Sequence, residues 1–600
     1  MNEIPSDTAA GPGFRSDAAP LPGGIASDLR GLNFFHIDAS LQSVLQVYCP
    51  DDLREHMWPH WERLGELAGG HLDELAATAD RHPPVLHSRD RFGRDEQWIE
   101  HHPAYLEMEE IALGDFGLHV MSHQPGMFGW PDKVPPIAKY AFTYLFVQAE
   151  FGLMCPVSLT DTGLAMMRMF GDDFIQENFV RKVMTTDKRR LFRGAQFMTE
   201  KPAGSDVGQV ETVARDCGDH WELTGEKWFC SNPHADVALL LARPEGAPEG
   251  TRGLGMFVLP KHLSDGSRNH YRIVRLKDKL GTKSMASGEI IMDRAIAYAL
   301  GDVNNGLKQM MQQVNLSRLS HGVRASAMMR RCLNEALAAT RTRRAFGQPV
   351  AAMPLAQRQI MKLMIPTEQS LSMYAYVAQQ LGASQAGDEQ ASDRLRLATG
   401  LFKFRACRDN PVVATGSMEL RGGNGYIEDY IGPRLIRDAQ IGLLWEGTSN
   451  INGLDVLNRA VAKTGGHEAI RRDLSERLTG SNAMPPELRE AAGGALDRAV
   501  AMADEAARRG DETLARTVAS ALYHAVTAGL MAWEGAILGA RGGDARRMLL
   551  AKMVIDHRLT PVDPLALPDN AFDLAAAPVL VAGGPVSLSE AVGILETGNA

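Results

Sequence analysis

The feature that most constrains this chain is a double switch of hydrophobic period. From about residue 38 to 190 apolar residues recur at helical spacing, as in WERLGELAGGHLDELAATAD. Near residue 191 the pattern breaks into short β-type runs: ETVARD, HWELTGEKWF, DVALLLAR, GLGMFVLP, YRIVRL and GEIIM. Helical spacing returns near Gly306 and yields long helices over 306–344, 355–382 and 392–420, then a further helical block over 467–560. Five or six short strands in about 100 residues form a small barrel or open sandwich, not a parallel sheet. Strands never alternate with helices, so a doubly wound dinucleotide fold is excluded. The one glycine-rich string that invites it, GGNG at 422–425, follows a helix where a strand would be needed, and no GxxxxGK[ST] string exists.

Six hundred residues exceed one domain and can bury several cores without disulfides or metals. The expected division is a disordered arm over 1–37, a helical domain over 38–190, a β-barrel domain over 191–303, a helical bundle over 304–465, and an extra helical region with a loose tail over 466–600. Residues 1–30 are too rich in Gly, Pro, Ala, Ser and Asp to bury much apolar area. The start has neither a positive segment nor an apolar one, so it is no signal peptide. The longest apolar stretch, 519–540, contains His524, Glu534 and three glycines and reads as a buried helix, not a membrane span. The six cysteines are scattered without metal-ligand spacing, so a reducing, cytoplasmic setting and no metal are expected. A net charge of −10 gives no general attraction to nucleic acid.

Four segments carry chemistry. QFMTEKPAGSDVG (196–208) leads from an apolar run into a turn whose amides and hydroxyls can face a ligand. In GEKWFCSN (225–232), alternation puts Phe229 and Ser231 on one face of a strand, where an aromatic can meet a planar ligand. RTRRAFGQP (341–349) gathers guanidinium groups at a helix end, suited to a pyrophosphate or simply to the helix dipole. RGGNGY (421–426) permits close backbone approach, and LLWEGTSNI (443–451) follows it with a lone carboxylate, Glu446, in apolar sequence. Burial beside Trp445 is expected to raise the Glu446 pKa and make it a general base. Thr448, Ser449 and Asn450 are placed to cap the next helix.

Taken together and in this order, MTEKPAGSD, EKWFCSN, RRAFG and RGGNGY…WEGTSNI resemble the acyl-CoA dehydrogenase flavoprotein family over about 40–465. RLKDKLGTKSMAS, AMMRR and NINGLDVL, with the extra helical region, resemble its AidB-like branch, the adaptive-response flavoproteins. The resemblance implies an α+β acyl-CoA dehydrogenase fold: an N-terminal helical domain, a central β-barrel and a C-terminal helical bundle, here with an additional C-terminal helical region. It implies FAD as cofactor and Glu446 as the base that removes the α-proton of an acyl-CoA, with the β-hydrogen leaving as hydride to the flavin. Met198 and Thr199 match contacts to the isoalloxazine edge, and Ser205 a contact near phosphate or acyl-CoA. Phe229 stands where a tryptophan is usual and Ser231 where a threonine is. Arg343, Phe346, Gly422 and Gly423 match residues that clasp the FAD adenosine–pyrophosphate half across a subunit interface, and Thr448 and Asn450 match flavin or adenine contacts next to the base. Some relatives carry their base before an arginine on another helix. Here that pair is Ser317–Arg318, which leaves Glu446 without a competitor and Arg318 as its buried support. Glu419 stands where glutamine is common.

The implied partners are an acyl-CoA, an acceptor such as an electron-transfer flavoprotein, and three further copies in a homotetramer. Two other functions fit the same strings: a DNA-associated protective flavoprotein, and a flavin oxidase or monooxygenase. DNA is not favoured by charge, because residues 466–600 carry 13 Lys and Arg against 18 Asp and Glu, a balance of −5. Arg471–Arg472, Arg508–Arg509 and Arg541/Arg546–Arg547 are the local basic clusters in that region.

Overall fold

The computed structural model describes residues 24–567 and 569–597. Seven strands form the middle of the chain, and five of them close on themselves. Val237–Pro244 pairs antiparallel with Gly255–Pro260, which pairs with Ser287–Ala299, which pairs with Trp221–Ser231, which pairs with Val213–Asp216. Val213–Asp216 then returns to Val237–Pro244 in parallel register, Val213 opposite Arg243. Closure pairs each of these five strands on both sides. Ala214, Leu223, Cys230, Phe257, Leu259, Ile290 and Met292 fill the interior. Tyr271–Leu276 and Gly194–Phe197 extend the sheet on Ser287–Ala299 and Val237–Pro244.

Helices lie before and after the barrel. Gly306–Thr342 is 37 residues long, and most of its side chains are buried. It contains no proline, and its interior glycine, Gly322, lets the Phe402 ring approach: a Cβ there would sit 2.5 Å from that ring. Pro354 opens the helix Pro354–Gln385 from its first turn, where a missing N–H is harmless. Asp388 caps Glu389–Arg421 by accepting from Ala391 N–H, and Gly422 ends it at φ 80°. These three helices pack against Pro136–Val147 and Met154–Phe170 on one side and against Ala515–Ala540 on the other, in one continuous core. The expected order of helical region, small barrel, helical bundle and further helices is thus observed.

Three expectations change. Of the expected arm over 1–37, residues 1–23 lie outside the described residues, and the rest is no loose arm: Leu29, Phe34 and Phe35 are fully buried. There Gly65 and Gly69 let the segment run close against the helix Asp51–Gly69, with Phe34 N–H donating to Gly65 O at 2.9 Å. The expected loose tail contains two helices, Ala571–Ala582 and Leu588–Thr597, anchored by buried Phe572, Leu580, Val586 and Leu595. The first helical region also holds a hairpin, Val85–Arg89 with Asp95–Glu100. Its Gln97 Oε1 accepts from Ile273 N–H at 2.5 Å and ties the hairpin to the barrel.

Candidate active site

Glu446 sits on the loop between the helices Gly432–Ala439 and Ser449–Asp455, with its backbone at φ 51°. A non-glycine residue in the left-handed region is held there only if its surroundings over-determine it. They do so here. Arg318 Nε donates to Glu446 O at 3.2 Å. Lys403 Nζ, from Glu389–Arg421, donates to Gly442 O at 3.0 Å and Gly447 O at 2.8 Å. Asn452 Nδ2 donates to Gly447 O at 2.6 Å. Gly442 is needed for this approach: a Cβ there would lie 3.2 Å from Cys407 Cβ and 3.5 Å from His321 Nε2.

The carboxylate itself meets an imidazole and a guanidinium. His321 Nδ1 lies 2.5 Å from Glu446 Oε2, and Arg324 Nη2 lies 4.0 Å from Oε1. Burial pushes the His321 imidazole down to about 4 despite the carboxylate beside it, so near neutral pH it is uncharged and donates Nδ1–H. Burial would raise Glu446, but His321, Arg324 and Lys403 outweigh it and hold the carboxyl down to about 2. This corrects the expectation of a raised base. The loop sequence shows Trp445 as the neighbour, whereas the neighbours that decide come from two helices more than 40 residues away. Arg318 is buried as expected and also pairs with Asp455 at 2.8 Å, which takes Arg396 at the same distance.

The remaining expected site residues fall into two groups. Lys227 and Glu200 form a buried ion pair at 2.5 Å, with Glu200 also accepting from Glu211 N–H and Thr212 N–H. This pins the MTEKP segment to the barrel wall, where Thr199 O accepts from Trp228 N–H at 2.8 Å. A bulge between Lys227 and Cys230 turns those two side chains inward and leaves Phe229, 57 % exposed, and the half-buried Ser231 facing out. Lys277 Nζ stands 3.3 Å from the Trp228 ring centroid and 4.9 Å from that of Phe229. Burial raises the Cys155 thiol above its ordinary value, while the Arg324 guanidinium draws it down, Glu446 pushes it up and the Ser231 hydroxyl draws it down. Cys155 thus lies within electrostatic reach of both Ser231 and Glu446. Met198 is half-buried and Ser205 exposed on the same loop.

Of the second group, the structure brings together Arg343 and Gly422. Arg343 Nη1 donates to Arg421 O at 2.9 Å and would meet a Cβ on Gly422 at 2.5 Å. Gly423 has nothing within 4 Å of the space a Cβ would fill, and Phe346 is 97 % exposed at φ 49°. Thr448 occupies the cap position of Ser449–Asp455, but its hydroxyl makes no capping bond, and Asn450 lies on the surface beside Arg516. Glu419 accepts from Gln359 Nε2 at 2.7 Å. His321, Arg324, Lys403 and Cys155 are the site residues that sequence reading missed. For His321 and Arg324 the signal was faint, polar residues three apart on one long buried helix; Lys403 and Cys155 lie on two other helices.

The residues fit a flavin dinucleotide. An exposed aromatic with hydroxyls beside it suits a planar ring, and a glycine pair cradled by a guanidinium suits a pyrophosphate.

Residues 25–188 match the adaptive response protein AidB N-terminal domain, residues 195–295 the acyl-CoA dehydrogenase middle domain, and residues 304–461 the acyl-CoA dehydrogenase C-terminal domain. Acyl-CoA dehydrogenase family member 11 of Caenorhabditis elegans is 30 % identical over 71 % of this chain and 70 % of its own length. AidB of Escherichia coli (strain K12) is 28 % identical over 78 % and 86 %. The solved structure of Caenorhabditis elegans ACDH-11 in complex with C11-CoA superposes with a TM-score of 0.83 at 26 % identity, covering 91 % of this chain and 94 % of that one. The chain belongs to the acyl-CoA dehydrogenase family, a family of oxidoreductases. Its N-terminal domain makes it AidB-like. Among the described residues no helix is long and apolar enough to cross a membrane.

Proposed function

We propose that the protein is an FAD-dependent acyl-CoA dehydrogenase in which Glu446 removes the α-proton of an acyl thioester. The observation that carries this reading is a single carboxylate held in a strained, multiply pinned loop, ionised at neutral pH, in the same locality as Phe229 and Ser231. Met198, Thr199, Phe229 and Ser231 would hold the flavin ring. Arg343, Phe346, Gly422 and Gly423 would hold its pyrophosphate, with Ser205, Thr448 and Asn450 at the edges. Bound there, FAD supplies the acceptor for the β-hydride.

A carboxyl held near 2 is a weak base for so weak an acid as an α-proton. The same cations resolve this. Proton transfer moves one negative charge from Glu446 to the thioester oxygen, and Arg324 and Lys403 stabilise that charge on either side of the transfer. His321, neutral, keeps the carboxylate oriented, and Arg318 keeps its loop in place. A ligated acyl-CoA in the Caenorhabditis elegans relative supports the substrate class. The family further supports an electron-transfer flavoprotein as acceptor, a homotetramer and a cytoplasmic setting. The DNA-binding alternative loses its best residues: Arg471, Arg508, Arg509 and Arg546 are each held by a carboxylate. An oxidase on the same fold would differ in the reaction of the reduced flavin with oxygen.

The test is the visible spectrum of the purified protein, titrated anaerobically with short, branched, aromatic and long acyl-CoAs. A flavin spectrum that bleaches with one class supports the reading. A flavin that none of them bleaches contradicts it.

A further inference from the structure

The helix Gly306–Thr342 carries Gln313, Ser317, His321 and Arg324 at spacings that place them on one face, and all four are buried. Among the described residues, Gln313 Oε1, Ser317 Oγ, His321 Nε2, and Arg324 Nε and Nη1 have no hydrogen-bond partner. Buried polar atoms without partners are costly, and a buried guanidinium is the costliest of these. The next two arginines on the helix show what a structural arginine looks like here. Arg330 is engaged by Glu368 and Asp38, and Arg331 by Asp73 and Glu335. Arg324 is 1 % exposed, and its one anionic contact is Glu446 at 4.0 Å. Its flanks are the rings of Phe151 and Trp445, at 5.6 and 5.9 Å.

The charge count makes the same point. Arg318 is answered by Asp455, whereas Lys403 bonds to backbone carbonyls. Arg324 and Lys403, two cations, therefore share one carboxylate, Glu446.

On the reading of Glu446 as the base, we infer that the substrate brings the missing anion: its acyl group ends in a carboxylate that Arg324 binds, so the preferred substrate is a short dicarboxylic acid monothioester. The unpartnered Nε–H and Nη1–H of the guanidinium are charge-assisted donors that a carboxylate can accept from. Ser317 and His321 form the polar wall past which an oxygen-bearing chain can lie. Arg324 is one ionic contact from the base, and the base must touch the α-carbon, so the terminal carboxylate lies only a few bonds further along, in an acyl chain of roughly four to six carbons.

The test is calorimetric titration of the full-length holoprotein with matched acyl-CoAs, glutaryl against pentanoyl and adipyl against hexanoyl. Each pair differs in carboxylate against methyl at the chain end. The wild type is expected to bind one carboxylated member at least about tenfold more tightly than its match. Arg324→Met should weaken that member by about 30-fold and the methyl-ended one by less than threefold, and Arg324→Lys should restore part of the preference. Equal or tighter binding of the methyl-ended acyl-CoAs by the wild type overturns the inference. So does an equal loss on both members in Arg324→Met, which marks a purely structural arginine. If Arg324→Met fails to fold, the wild-type ratio alone decides. If no acyl-CoA of either kind binds, the dehydrogenase reading falls as well. If both kinds bind alike and bleach the flavin, only the present inference falls.

Discussion

Two clusters of buried charge lie on the helix Gly306–Thr342, two turns apart, and they are built on opposite rules. Around Arg330 the ions close on one another. Arg330 Nη2 meets Glu368 at 2.5 Å, Glu368 meets Arg547 Nη1 at 2.7 Å, and Arg547 Nε meets Glu534 at 2.7 Å. Ser40, Tyr48 and Ser372 fill the remaining lone pairs of the two glutamates. Around Arg324 the ions stay open, with cations in excess and polar atoms unpartnered. A closed network fixes positions. An open one is poised for a group that arrives. The closed network also joins Ala39–Tyr48 and Pro354–Gln385 to the C-terminal helices Ala515–Ala540 and Arg546–Val554, so the additional region is keyed into the body of the protein and is no loose appendage.

Breaking the closed cluster should have the largest effect on stability. Arg547→Met leaves Glu368 and Glu534 buried with too little counter-charge. It should cost about 3–5 kcal/mol, read as a lower midpoint in denaturant, with the spectrum of the remaining folded enzyme unchanged. An unchanged midpoint would remove the contrast between the clusters.

A smaller effect follows from the acid limb. Burial would raise Glu368, but Arg330 and Arg547 hold it down to about 2. A depressed carboxyl contributes stability that is present above its unfolded value near 4.5 and is lost as pH falls toward 2. In Arg547→Met the folded value rises, so acid unfolding should begin about one pH unit higher, as followed by circular dichroism.

The smallest effect is expected at the open cluster. Glu446 near 2 and His321 near 4 both titrate below pH 5. The rate of substrate-driven bleaching should therefore carry no limb from either group between pH 5 and 8. A limb centred near 6 that vanishes in His321→Gln would show an imidazole that the cluster fails to keep neutral.

Much of the architecture was legible because it rests on period. The strands announced themselves as short β-type runs between turn signals, and the helices by proline and glycine at their ends. WEGTSNI was legible because its residues are contiguous. What was not legible depends on distance along the chain. Arg324 and Lys403 approach Glu446 only because two helices cross beside the loop, so the sign of its pKa shift could not be read from Trp445. Leu29, Phe34 and Phe35, and later Phe572, Leu580 and Leu595, lie in segments whose composition reads as loose. A few large apolar residues anchor them, and an average over thirty residues hides that. The hairpin Val85–Glu100 was missed because both strands are largely exposed and only Gln97, Ile99 and the bond to Ile273 tie it down.

The central claim is that Glu446 removes a proton from the substrate α-carbon. Hydrogen exchange at that carbon tests this without any electron acceptor. An acyl-CoA found to bind is incubated anaerobically in deuterium oxide with the wild type and with Glu446→Gln, and deuterium at the α-carbon is counted by mass spectrometry. The wild type should exchange, and Glu446→Gln should exchange at least about a hundredfold more slowly while still binding the thioester. Exchange in Glu446→Gln at the wild-type rate would contradict the assignment.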